Sequence, residues 1–156
     1  ISVGEEDHVK PALTAMGADI IFSGVAIKPG KPVSFGHVRG ASWLGFPGNP
    51  LSAFITWQLF GEALVRRMSG EMGQGIPRRH VITSEPIARK PGRCEFRPDC
   101  FIVFDAQGRE VVSFAPETHS SRVAGLSAAS GLIYLPADAA YLPAGALVEF
   151  QPFCPN

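Results

Sequence analysis

The sequence predicts an α/β segment followed by an all-β one, and three observations carry that prediction. Through residue 70, strand-like apolar runs alternate with helix-like ones. Residues 71–78 break the pattern, because Gly73, Gly75 and Pro77 follow Gly70 within a few positions and read as a linker. From residue 79 to 156 the apolar runs are short and bounded by turn residues, the grammar of a small antiparallel β-barrel. A length of 156 residues suits one medium domain or two small ones, and a hydrophobic fraction of 46% is ample for a core.

In chain order, Ser2 to Met16 reads as a loop and then a helix, with Val9, Ala12, Leu13 and Met16 forming an apolar stripe. Glu5, Glu6 and Asp7 put negative charge where a helix dipole favours it, and Asp7 fits the N-cap. Pro11 belongs in the first turn, and Gly17 ends the helix. Ala18 to Ala26, Pro32 to Val38 and Trp43 to Phe46 read as strands, with a turn over His37 to Ser42. Pro50 to Ser69 is the strongest helix. Leu51, Phe54, Ile55, Trp57, Leu59, Phe60, Leu64 and Val65 leave little of its circumference polar, which predicts burial on two sides. In the second half the strands are His80 to Arg89, Arg93 to Phe104, Arg109 to Ala115, Leu132 to Leu135 and Ala146 to Phe153. Asp105 to Gly108 forms a hairpin loop, and Glu117 to Ser130 holds one short helix.

Two turns between these elements carry chemistry. In Ile27-Lys28-Pro29-Gly30-Lys31-Pro32 each lysine precedes a proline, which keeps it extended and out of any helix. Pro29-Gly30 fits the centre of a type II turn, so two ammonium groups project from a stiff loop. In Phe46-Pro47-Gly48-Asn49-Pro50 a strand passes through a glycine turn into a helix that Asn49 caps and Pro50 opens. Free amides at a helix start, with two ammoniums nearby, suit phosphate or another oxyanion. Each turn alone has a plainer reading, as a solvated surface turn or a simple cap.

Charge balances at 14 basic and 14 acidic residues, which gives no reason to expect nucleic acid or an anionic membrane as partner. Cys94, Cys100 and Cys154 cannot all pair and lack metal-site spacing, so free thiols in a reducing compartment are expected. No apolar run reaches membrane-spanning length.

The two turns, standing as Ala26 to Pro32 and Phe46-Pro47-Gly48-Asn49-Pro50-Leu51-Ser52-Ala53, resemble the signatures of the MoeA family. These are the molybdopterin molybdenumtransferases, which include the E domain of gephyrin. Gly92-Arg93-Cys94-Glu95-Phe96-Arg97 resembles the family's Gly-Arg-x-Glu-Phe run. Gly131 to Pro136 and Ala144 to Phe150 resemble runs of its C-terminal domain. The family commonly places another arginine two residues beyond that Phe. Here the slot is Pro98 and Arg97 sits one residue early, on the opposite strand face unless a bulge intervenes. In Thr118-His119-Ser120-Ser121-Arg122, Ser120 aligns with a family serine, and locally it also suits a helix N-cap.

The resemblance runs over the whole chain but only the C-terminal part of the family's length. Ile1 would fall just after a pair of family glycines, so a piece of a longer protein is expected, inactive alone. The resemblance implies a partial three-layer, MogA-like molybdopterin-binding domain over 1–70, and the family's barrel over 79–156. It implies insertion of molybdate into adenylylated molybdopterin with release of AMP and help from Mg2+. Lys28, Lys31 and Asp7 would be catalytic, and Asp7 and Glu5 would hold the metal. Ser2, Gly4, Pro47, Gly48, Asn49, Pro50, Ser52, Ser120, Arg93 and Arg97 would bind substrate. A cytoplasmic homodimer, in contact with other proteins of molybdenum cofactor synthesis, is implied as well. The alternative is a molybdopterin-binding or oligomerisation scaffold of the gephyrin type without catalysis.

Overall fold

The computed structural model describes residues 8–73, 75, 77–114, 126 and 129–153. It divides into two compact units, Ile1–Glu71 and Met72–Asn156.

In the first unit α1 (Val9–Ala15) starts after His8, whose side chain makes no capping bond. The expected cap, Asp7, lies outside the described residues. Pro11 falls in the first turn as expected. The helix ends in a Schellman motif, with Gly17 at φ +80, its N–H bonded to Thr14 O (2.9 Å) and the Ala18 N–H to Leu13 O (2.9 Å). Nothing in α1 is buried, and Val9 and Met16 of its apolar stripe are exposed.

β1 (Asp19–Ser23), β3 (Ser34–Val38) and β4 (Ala41–Gly45) form an antiparallel sheet with β3 in the middle, while β2 (Ile27–Lys28) is a two-residue extended piece. β3 and β4 meet through a two-residue loop, Arg39 at φ +49 and Gly40 at φ +81, the positive pair that a type I′ turn requires. Gly36 sits mid-sheet opposite Trp43. A Cβ there would lie 2.1 Å from Asp19 O and 2.9 Å from the Trp43 indole, so the ring lies where a side chain would stand.

The long helix departs from its expected regularity. α2 (Pro50–Thr56) passes into a π turn (Trp57–Gly61) and then α3 (Glu62–Met68). The Trp57 ring lies over Gly61, where a Cβ would approach Cε3 to 2.3 Å. The extra residue of the wide turn therefore coincides with an aromatic ring packed on bare backbone. The sheet side of the helix is covered, with Ile55 and Thr56 fully buried and Phe60 6.1 Å from Phe22 of β1. The other side, for which a further surface from upstream sequence or a second subunit is expected, has Trp57, Val65 and Met68 exposed in this chain. One sheet and one helical layer are thus documented of the partial three-layer domain that is expected. A second Schellman motif, with Gly70 at φ +81, closes α3.

The second unit contains a closed barrel of five strands: β5 (Arg79–Thr83), β7 (Cys94–Phe104), β8 (Glu110–Phe114), β9 (Gly131–Leu135) and β11 (Leu147–Pro152), ordered β7-β8-β5-β11-β9 and back to β7. The expected antiparallel barrel needs one correction, because β5 and β8 run parallel. A ring with an odd number of strands cannot alternate direction throughout, so one parallel neighbour pair is unavoidable. The expected strand His80 to Arg89 is also divided. β5 stops at Thr83, and β6 (Ile87–Ala88) pairs with β10 (Tyr141–Leu142) in a separate ribbon. The barrel interior is Val81, Cys100, Val112, Ile133, Leu135, Val148 and Phe150, all buried, with Ile87 closing the cluster.

Candidate functional site

The lysine turn is tied at both ends. Ile27 and Val33 are buried on either side of it, the Val33 N–H bonds Gly30 O (3.1 Å), and the Val25 N–H bonds Lys31 O (2.9 Å). Pro29 follows a cis peptide bond from Lys28, and Gly30 has φ +112, outside what an L side chain readily adopts. The expected positive φ at Gly30 is present, and the bond that closes the turn spans Gly30–Val33. Both lysine side chains are exposed.

At the second turn Pro47 is buried while Gly48, Asn49 and Pro50 are exposed. Asn49 caps α2, its Oδ1 accepting from Ser52 N (3.1 Å) and Ser52 Oγ (3.4 Å), with Pro50 in the first turn as expected. The Asn49 side chain is therefore engaged in capping, and Gly48, Asn49 and Pro50 are the exposed residues of this corner.

One contact joins the two turns. The space that a Cβ on Gly30 would occupy is taken by Thr56, whose Cγ2 would be 2.7 Å from it. Thr56 is fully buried one turn beyond Ser52, and its hydroxyl donates to Ser52 O (2.8 Å) and Ala53 O (3.0 Å). Thr56 thus brings the turn that carries Lys28 and Lys31 against the far end of the helix that Asn49 caps and Pro50 opens. Thr56 had no sequence signal, since a mid-helix threonine is unremarkable until its neighbour across the fold is known.

Arg93 and Arg97 belong to the second unit. Arg93 is exposed. The β7 register shifts between Arg97 and Cys100, a bulge that also accommodates Pro98, which has no N–H to give a ladder. The bulge follows Arg97, so Arg97 keeps the face of Glu95 and donates Nε to Glu95 Oε1 (3.0 Å). Glu95 in turn meets Arg89 (Nε to Oε2, 3.4 Å), with side chains 8% and 2% exposed. Arg89 also donates to the carbonyls of Pro136, Arg93 and Ala139 (2.7 Å for the last). This buried cluster was legible only as a carboxylate embedded among arginines and apolar residues.

Ser2, Gly4, Glu5, Asp7 and Ser120 lie outside the described residues. Among the described residues no group of three His, Cys, Asp or Glu could hold a metal ion. Burial pushes the Cys94 thiol up and the Tyr134 phenol up to about 12, which leaves neither suited to acid–base work at neutral pH. One mouth of the barrel encloses about 540 Å³ beside Arg79, Phe104, Ser130 and Phe150. There Arg79 is held bidentate by Glu110 (2.7 and 2.9 Å), and Arg78, which also lines the cavity, pairs with Glu149 (3.3 Å). No helix among the described residues is long and apolar enough to cross a membrane.

An α/β unit bearing a lysine turn, followed by a closed five-stranded barrel, is a defined combination. The family model for the probable molybdopterin binding domain matches residues 1–67, and that for the MoeA C-terminal region (domain IV) matches residues 80–153. The molybdopterin molybdenumtransferase of Haemophilus influenzae is 30% identical over 154 residues, which is 98% of this chain and 38% of that protein. Molybdopterin molybdenumtransferase 2 of Mycobacterium tuberculosis is 29% identical over 96% of this chain and 37% of its own length. The crystal structure of the molybdopterin biosynthesis MoeA protein of Pyrococcus horikoshii superposes with a TM-score of 0.71 at 24% identity, over 94% of this chain and 35% of that one. The chain belongs to the MoeA family. It spans about two fifths of the length of these curated relatives.

Proposed function

We propose that the protein carrying this chain inserts molybdate into adenylylated molybdopterin and releases AMP. The observation that carries the proposal is the lysine turn: two exposed ammonium groups on a loop closed at both ends and seated on the helix that begins at the Gly48-Asn49-Pro50 corner. Cleavage of a phosphoanhydride moves negative charge onto the departing phosphate, and fixed cations lower the cost of that movement without any covalent step. Lys28 and Lys31 supply the cations. The backbone at Gly48 and Asn49 supplies donors for a phosphate oxygen. Arg93 and Arg97, the latter held by Glu95, are proposed to bind substrate as well.

The proposal includes Mg2+ held by Asp7 and Glu5, with Ser2, Gly4 and Ser120 completing the substrate contacts. It also includes a three-layer, MogA-like first domain, a homodimer in the cytoplasm, and contact with other proteins of molybdenum cofactor synthesis. The family and the names of the relatives support the molybdopterin-directed activity in this reading. The test is molybdopterin binding by the full-length protein. Lys28→Ala and Lys31→Ala are each expected to weaken it by ~1.5–3 kcal/mol, the scale of a hydrogen bond to a charged group. Unchanged affinity in both variants would refute the role of the turn.

A further inference from the structure

We infer that Thr56 is a positioning residue for the lysine turn, acting through its methyl group rather than its hydroxyl. The inference rests on the proposed role of Lys28 and Lys31, and it assigns the part of the helix that holds them. Gly30 is buried, and the position of its missing Cβ is filled by Thr56 Cγ2, with Ile27 Cδ1 3.0 Å away on the turn itself. The Thr56 hydroxyl is bonded back to Ser52 O and Ala53 O. In a helix that bonding selects the side-chain rotamer, and with the hydroxyl tied to the preceding turn the methyl has one direction left, toward Gly30. Ser52 carries the opposite end of the same link, through its N–H on Asn49 Oδ1. The two turns of α2 therefore link both candidate anion-binding corners, Asn49 at the start and the Gly30 turn at the end. A shift of Thr56 would move the lysines relative to Gly48 and Asn49, and misplacement of about 1 Å at a reacting centre can cost on the order of 100-fold.

The test compares three variants in the full-length protein. Thr56→Ser keeps the hydroxyl and removes the methyl. Thr56→Val keeps a methyl in that place and removes the hydroxyl. Ile55→Val removes one buried methyl(ene) group from the neighbouring residue, as a control for lost packing. The first readout is amide hydrogen exchange at Val25 and Val33, whose N–H groups close the turn. Exchange there is expected to be roughly tenfold faster in Thr56→Ser than in the other two variants. The second readout is kcat/KM for AMP release, expected to fall about tenfold in Thr56→Ser and less than threefold in Thr56→Val and Ile55→Val. Exchange in Thr56→Ser equal to that in Ile55→Val overturns the inference. So does a loosened turn with kcat/KM intact, where Lys28→Ala and Lys31→Ala do impair turnover. If the lysine variants themselves are fully active, the functional reading fails, and the exchange data alone then decide whether Thr56 sets the turn.

Discussion

Single residues in this chain show how much depends on what a charge or a missing Cβ meets. The Arg89 side chain is nearly inaccessible, and its bonds run to the Glu95 carboxylate, to the Arg93 carbonyl before β7 and to the Pro136 and Ala139 carbonyls between β9 and β10. Removing one partner of a buried pair leaves the other charge uncompensated. Arg89→Met is therefore expected to cost ~3–5 kcal/mol by denaturant unfolding, and a loss under 1 kcal/mol would show that Arg97 alone suffices for Glu95. Asp105 behaves differently, because it is a loop residue whose carboxylate is bonded to the Arg109 N–H (2.8 Å), the Gln107 N–H (2.9 Å) and the Arg109 guanidinium (2.7 Å). The Arg109 backbone bond is the chief reason its carboxyl lies below the usual aspartate range. Since the folded value lies below the unfolded one, the stabilisation is present above the unfolded value and is lost as pH falls through the folded one. Carboxyl-resolved NMR should place the Asp105 midpoint below that of a model aspartate, and Asp105→Asn should flatten the acid limb of the stability curve.

At the scale of elements, the sequence was most legible where local chemistry decides. Asn49 capping and Pro50 in the first turn, the stops at Gly17 and Gly70, and the Asp105 hairpin all depend on residues within a few positions of one another. The departures come from contacts made at a distance or from ring closure. The π turn reflects Trp57 lying over Gly61, and a helical stripe contains no sign of that. The division of the expected strand His80 to Arg89 reflects the pairing of Ile87 and Ala88 with Tyr141 and Leu142 far along the chain. The bulge after Arg97 was posed by Pro98, but only the register against Gly131 shows on which side of Arg97 it falls. The same limit applied to the site: both lysines and the Asn49 corner were visible, while Thr56 between them was not. Gly36 offers an element-scale test. Gly36→Ala would bring a Cβ within 2.1 Å of Asp19 O in the central strand and is expected to cost ~1–3 kcal/mol through forced backbone movement. An unchanged unfolding midpoint would mean that β1 and β3 part freely.

For the molecule as a whole, the two units divide the chemistry: the α/β unit carries the lysine turn and the helix start, and the barrel unit carries the Arg89–Glu95–Arg97 cluster. The exposed apolar residues Trp57, Val65 and Met68 lie along one helix, and their exposure motivates the proposed self-association. Light scattering of the full-length protein at micromolar concentration is expected to report a dimer, and a monomer alone would count against it.

The central claim is that this lysine turn serves molybdate insertion, and its most direct measurement is AMP release from adenylylated molybdopterin by the full-length protein, with and without molybdate. The account predicts molybdate-dependent AMP release matched by cofactor formation. It also predicts a fall in kcat/KM of roughly 10- to 100-fold in Lys28→Ala and in Lys31→Ala, with thermal stability unchanged. Turnover within twofold of the unmodified protein in both variants, or AMP release indifferent to molybdate, would contradict it.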